Sequence, residues 1–102
     1  MLPERDITIG DITVSPRSRT AFVEGREVRL TNREFALLYH LMRKAGRIVS
    51  REELASEVWG GFDLERSNTI DVNVCHLREK IGDTGRTTIR SIRGVGYFYA
   101  NR

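Results

Sequence analysis

One stretch of this sequence carries side chains suited to reading the edge of a nucleic acid. With a helical period, Ile70, Val74, Leu77 and Ile81 fall on a single apolar stripe. The opposite side then presents Asn68, Val72, Cys75, His76 and Glu79, with Thr69 at its edge, and Val72 points almost directly away from the stripe. An asparagine amide can bond an adenine edge, a valine methyl can lie against a thymine methyl, and a histidine can donate to a base or a phosphate. A helix fits the major groove of B-DNA and no other groove of the duplex. Arg66, Arg78 and Lys80 lie on the flanks, where phosphate contacts suit them better than base contacts. A second set follows in Arg90 and Ile92-Arg93-Gly94-Val95-Gly96, a thin turn with glycines that permit tight backbone and close approach to a ligand. An arginine at such a tip can enter a narrow minor groove, where the negative potential is deepest. Each set also has a plainer reading. The helix face can be merely solvated, with Arg78 paired back to Asp71, and the turn can be a simple hairpin end.

Other chemistries find little material. The single cysteine, Cys75, forms no intrachain disulfide, no Cys/His spacing suggests zinc, and no neighbour in sequence activates Cys75 as a redox sensor. His40 sits inside a helical pattern, and His76 has no sequence-evident acid or nucleophile beside it. Gly94-Val95-Gly96 is too short for a phosphate loop. No enzyme activity, metal or cofactor is expected.

The elements that must position these groups follow from periodicity and punctuation. Ile7, Ile9, Ile12 and Val14 alternate around Gly10-Asp11, and Thr20, Phe22, Val23, Val28 and Leu30 alternate around Gly25, predicting a three- or four-stranded antiparallel meander. Thr31 with Glu34 is a capping box that opens a first helix with Phe35, Leu38, Leu41 and Met42 on one stripe, ended by Ala45-Gly46. Ser50 with Glu53 opens a second, shorter helix closed by Gly60-Gly61. A loop over 60–66 leads to the third helix, with Ser67 or Asn68 as N-cap and Gly82 as its stop. The polar turn Asp83-Thr84-Gly85 precedes a closing hairpin in which Thr88 to Ile92 pairs with Tyr97-Phe98-Tyr99.

The 102 residues suffice for one α+β domain, and a 39% hydrophobic fraction supports one modest core. The net charge of +3 is unevenly placed: residues 1–65 hold ten basic and eleven acidic side chains, residues 66–102 seven and three. A basic excess in the last third is what a protein facing a polyanion would show. No apolar run approaches the roughly 18 residues of a membrane span, and no signal peptide is evident, so a cytoplasmic protein is expected.

Five segments in order and spacing resemble one family. Leu30-Thr31-Asn32-Arg33-Glu34-Phe35-Ala36-Leu37-Leu38, Gly46 through Leu54, Val58-Trp59, Asn68 to Val72 with Leu77 to Ile81, and Ile92-Arg93-Gly94-Val95-Gly96-Tyr97 are similar to the effector domain of OmpR/PhoB-type response regulators. The resemblance spans nearly the whole chain. It implies a winged helix-turn-helix: an N-terminal antiparallel β-sheet, a three-helix bundle and a C-terminal hairpin wing. It implies sequence-specific binding of double-stranded DNA by a bacterial transcription regulator. Thr69, Val72 and His76 fall where family members face bases, joining Asn68. Asn73, Cys75, Arg78 and Ser91 fall where phosphates are met, and Arg93 at the minor-groove position. The loop containing Gly61, Phe62, Asp63, Leu64 and Glu65 matches a segment that touches RNA polymerase in some members. The resemblance also implies tandem homodimers on promoter direct repeats and a sensor histidine kinase acting through a receiver domain. The chain has neither length nor pattern for a receiver, and residues 1–5, with Leu2-Pro3-Glu4, read as a linker remnant.

There are departures. Asn68 stands where arginine is frequent, Asn73 replaces a common histidine, and Cys75 and His76 occupy positions that are often basic. The arginine-poor face keeps an alternative open: a winged helix that docks on RNA polymerase or another regulator instead of DNA. A steep loss of binding with salt separates a DNA reader from such a module.

Overall fold

In the computed structural model, which describes residues 5–61 and 68–100, the order is sheet, helices, hairpin. Strands β1 (Ile7–Ile9), β2 (Ile12–Ser15), β3 (Thr20–Val23) and β4 (Arg26–Val28) form a sequential antiparallel sheet. Alternation puts Ile12, Val14 and Ala21 into the core and leaves the intervening residues partly or fully exposed.

Helix α1 (Asn32–Arg43) begins at the expected capping box. The Glu34 amide donates to Thr31 Oγ1 at 3.1 Å, and the Thr31 amide donates to Glu34 Oε1 at 2.9 Å. Two of the amides that every helix start leaves unpaired are thereby satisfied. Helix α2 (Arg51–Trp59) starts at Ser50, whose hydroxyl accepts from the Glu53 amide, and stops at Gly60 in the left-handed region at φ 74°. Helix α3 (Thr69–Ile81) begins after Asn68, which makes no side-chain cap bond; Ser67, the other expected cap, lies outside the described residues. Leu37, Leu38, Leu41, Leu54, Ile70, Val74 and Leu77 are fully buried where the three helices meet.

Ion pairs tie the helices together from outside that core. Lys80 Nζ on α3 donates to Glu34 Oε1 at 2.6 Å, so Lys80 is held against α1, away from the phosphate-contacting role its sequence position suggested. His40, buried on α1, meets Glu53 of α2 at 2.7 Å, with Lys44 at 3.8 Å from the same oxygen. Burial pushes the Glu34 carboxyl up, but the bonds from Lys80 and Thr31 outweigh it and hold Glu34 below its ordinary value. The bond to His40 does the same for Glu53.

The closing hairpin is β6 (Ile89–Ile92) and β7 (Gly96–Tyr99), and it gains a strand that the sequence did not announce. Residues Val49–Ser50, just before α2, form β5 and pair antiparallel with β7, giving the order β5-β7-β6. Gly96 therefore belongs to the strand and not to the turn. A Cβ there would strike the Val49 carbonyl oxygen and lie 2.9 Å from Ser50 Cα. Gly94, in contrast, has open space around it and is needed for its left-handed backbone at φ 75°.

Two outcomes follow. Gly96→Ala should destabilise by about 3 kcal/mol because the obstacle is backbone, whereas Gly94→Ala should cost about 1 kcal/mol. Urea midpoints check this, and equal losses would show that β5 does not lie against β7. For acid, a carboxylate held below its ordinary value of 4.5 adds stability that is complete above that pH and fades as pH falls through the folded-state value. Glu34→Gln should therefore lose more stability at about pH 7 than at about pH 3, a gap that closes on acidification. A gap independent of pH would remove the Lys80 pairing from the account.

Candidate nucleic-acid interface

The outer face of α3 is open. Asn68, Val72, Cys75 and His76 are exposed, and Thr69 and Asn73 are half-buried, while Ile70, Val74, Leu77 and Ile81 face the core. Val72 keeps 40% of its surface, uncommon for a valine that has a core within reach. The Asn73 amide donates to the Thr69 carbonyl at 2.9 Å, one turn back on the same helix. Asn68, free of capping duty, presents its amide at the start of the helix.

The wing stands beside this face. One cleft is lined by Asp71, Cys75, Arg78 and Glu79 of α3 together with Ser91 and Tyr97 of the hairpin. A smaller cleft joins Arg51 and Asp71 to the tip residues Ile92, Arg93, Gly94 and Val95. The tip is a tight turn in which the Val95 amide donates to the Ile92 carbonyl at 2.9 Å, with Arg93 and Gly94 at its corners and Arg93 exposed. The two clefts share Asp71, Ser91 and Tyr97, so the α3 residues Cys75 and Glu79 and the arginine tip border adjoining clefts.

Two arginine-centred clamps fix that arrangement. Asp71 accepts a forked pair from Arg51, Nη1 to Oδ1 at 2.7 Å and Nη2 to Oδ2 at 3.2 Å, and its Oδ1 also accepts from the Tyr97 hydroxyl. One carboxylate therefore joins α2, α3 and β7. The Arg51 bond is the main reason the Asp71 carboxyl sits below its ordinary range. Burial, then the bond to Asp71, pushes the Tyr97 phenol up to about 12. The second clamp is Arg78, which is buried, with Nε and Nη2 donating to the Ile89 carbonyl at 3.1 and 2.7 Å and Nη2 to Ser91 Oγ at 2.9 Å. Arg78 is not the surface partner of Asp71; that place is taken by Arg51, across the helix–turn–helix.

Asp83, which sequence alone placed in an exposed polar turn, is buried. Its carboxylate accepts from the amides of Thr87, Thr88 and Ile89 at 2.9, 3.0 and 2.8 Å, fixing the path from α3 into β6. The signal available was weak: an aspartate just past a helix-ending glycine, followed by three amides before a strand. Arg51 was likewise legible only as part of the segment entering the second helix.

Of the polymerase-contact segment, Phe62, Asp63, Leu64 and Glu65 lie outside the described residues, as does Arg66; Gly61 is exposed at its start. Among the described residues no cluster of His, Cys, Asp and Glu could hold a metal, and no helix is long and apolar enough to cross a membrane.

Comparison with known proteins agrees with this geometry. Residues 25–99 match the family described as transcriptional regulatory protein, C terminal. The transcriptional regulatory protein BasR of Escherichia coli K12 is 36% identical over 94 residues, which are 92% of this chain and 41% of BasR. The chain thus spans about two-fifths of that relative. The crystal structure of the Klebsiella pneumoniae RstA DNA-binding domain, in complex with the RstA box, superposes with a TM-score of 0.86 at 29% identity, covering 94% of this chain and 97% of that one. The DNA-binding domain of CpxR from E. coli gives 0.86 at 32% identity, covering 94% and 96%. With its sheet, helix triad, wing and the match over residues 25–99, the chain belongs to the C-terminal domain family of transcriptional regulatory proteins, the winged-helix effector domains of OmpR/PhoB-type response regulators.

Proposed function

We propose that this domain reads double-stranded DNA in a sequence-specific way, with α3 in the major groove and the Arg93 tip in the adjacent minor groove. The observation that carries the reading is the adjacency of two dissimilar surfaces: two adjoining clefts, both lined by Asp71, Ser91 and Tyr97, run from Cys75 and Glu79 on α3 to the Arg93 tip of the wing. A solvated helix face has no reason to be held beside an arginine tip by two clamps. Asn68, Thr69, Val72 and His76 are the base-facing set. Asn73, Cys75, Arg78 and Ser91 are the phosphate-facing set, of which Arg78 and Ser91 are already bonded to each other and so present one joint surface.

The readout face carries little charge, so recognition by α3 rests on amide, hydroxyl, imidazole and methyl contacts, and the affinity rests on the arginine flanks. The same proposal includes tandem copies on direct repeats, RNA polymerase as partner of the segment beginning at Gly61, and a receiver addressed by a sensor histidine kinase in the cytoplasm. The length of BasR relative to this chain leaves room for that receiver.

Selection of bound duplexes from a random pool tests binding, motif and half-site spacing together. A log–log plot of affinity against salt should be steep, falling by about 0.9 for each phosphate neutralised. Flat salt dependence would instead fit a protein-docking module. Arg93→Ala should weaken binding by roughly 1–3 kcal/mol at fixed salt in a gel-shift titration. Unchanged affinity would take the wing out of the minor groove. Val72→Ser should relax preference at one thymine, and recovery of an identical motif by both proteins would sink that contact.

A further inference from the structure

We propose that Arg86, together with Arg78, forms a seat for one phosphodiester of the DNA backbone in the cleft between α3 and the wing. The inference rests on the DNA-binding reading and adds to it a residue from the turn between α3 and β6, a segment with no role assigned by the sequence.

The observation is a pair of guanidiniums on one cleft, neither of them ion-paired with a described residue. The buried Arg78 uses Nε and Nη2 on Ile89 and Ser91, leaving Nη1 with no acceptor among the described residues. Among the described residues no buried side-chain nitrogen lacks a partner, so Nη1 reaches the open cleft. Arg86 lines the same cleft, is exposed, and forms no ion pair with a described residue. Burial first, and then the charge of Arg86, push the Arg78 guanidinium below its ordinary value, as expected of two cations facing each other.

Of the carboxylates nearby, Asp83 offsets part of this by its charge, but none bonds either guanidinium. Asp83 is saturated by three backbone amides, and Asp71 is held by Arg51 and Tyr97. Glu79 lines the cleft and pairs with neither arginine.

The backbone that delivers Arg86 is built rather than loose. Its amide donates to the Asp83 carbonyl at 3.1 Å, and its own φ of 55° lies in the left-handed region that non-glycine residues rarely adopt. The cleft, about 460 Å³, is lined by Cys75 and Glu79 of the outer α3 face as well as by the two arginines, so an anion seated there can belong to a strand whose bases α3 reads. Paired guanidiniums with a hydroxyl beside them match the planar, multidentate recognition of a phosphate.

The test uses Arg86→Asn, because asparagine tolerates left-handed backbone, and Arg26→Gln on β4 as a charge-matched control. On the duplex selected by the wild type, Arg86→Asn should lower the salt slope by about 0.9 while the selected motif stays the same, and Arg26→Gln should leave the slope in place. A walk of single neutral methylphosphonates along the duplex should find one position that weakens the wild type about tenfold and Arg86→Asn, which keeps only Arg78 there, clearly less. Equal slopes for wild type and Arg86→Asn, or equal losses in both variants, would overturn the seat while leaving DNA reading intact. Saturable binding of inorganic phosphate by the free protein, with a walk that never distinguishes wild type from Arg86→Asn, would assign the pair to a free anion and overturn it too. Wild-type binding that ignores salt would instead overturn the DNA reading itself.

Discussion

The geometry of the whole reading surface depends on where one carboxylate is held. Asp71 sits on α3, and it is gripped by Arg51 from α2 and by Tyr97 from the wing sheet. Left unpaired, an aspartate next to a phosphate backbone would repel it. Paired with a forked arginine, it presents little net charge and becomes a fixed joint between three elements. Such a partly buried ion pair is poor evidence for large stability, since removing charges from water offsets most of the attraction. Its value lies in direction. A fork admits few orientations, so the angle between the reading helix and the wing is set by covalent lengths and not by loop preference.

This use of charge changes how composition should be read. The last third of the chain is basic, but two of its cations are committed within the protein. Lys80 holds Glu34, and Arg78 holds the Ile89 carbonyl and Ser91. In the earlier half, Arg33 donates to the Val58 carbonyl and Arg51 to Asp71. A count of lysines and arginines therefore overstates the charge offered to a polyanion. What remains on the reading side is concentrated on the tip and along the cleft, at Arg93 and Arg86.

The sequence made the local elements legible and left the long-range ones dark. The capping box at Thr31, the Ser50 cap and the stripe from Ile70 to Ile81 state helices through contacts three or four residues apart, which a linear reading can see. The N-terminal meander showed through alternation and its glycine turns. Strand β5 did not, because two residues have no period, and its partner in β7 lies nearly half the chain away. Gly96 was misread as a turn residue for the same reason: the atom that forbids its side chain belongs to Val49. The outward face of α3 followed from periodicity alone. That Arg51 and not Arg78 answers Asp71, and that Asp83 turns inward, depend on tertiary neighbours that no spacing rule brings together.

A surface of this kind separates affinity from discrimination. Asn68, Thr69, Val72 and Cys75 on the outer side of α3 carry no lysine or arginine charge, so in the proposed reading their contacts change little with salt and depend on base identity. In the same reading the arginines flanking them meet phosphates that every sequence shares, a contribution that falls steeply as salt rises. Because Asp71 and the Arg78 clamp fix the wing to the helix, the two kinds of contact must be satisfied in one register. A duplex that fits α3 but displaces the wing loses the arginine contacts together, and one that suits only the arginines gains nothing from α3. The rigidity of the joint, more than the strength of any single contact, is what turns a weakly charged face into a selective one.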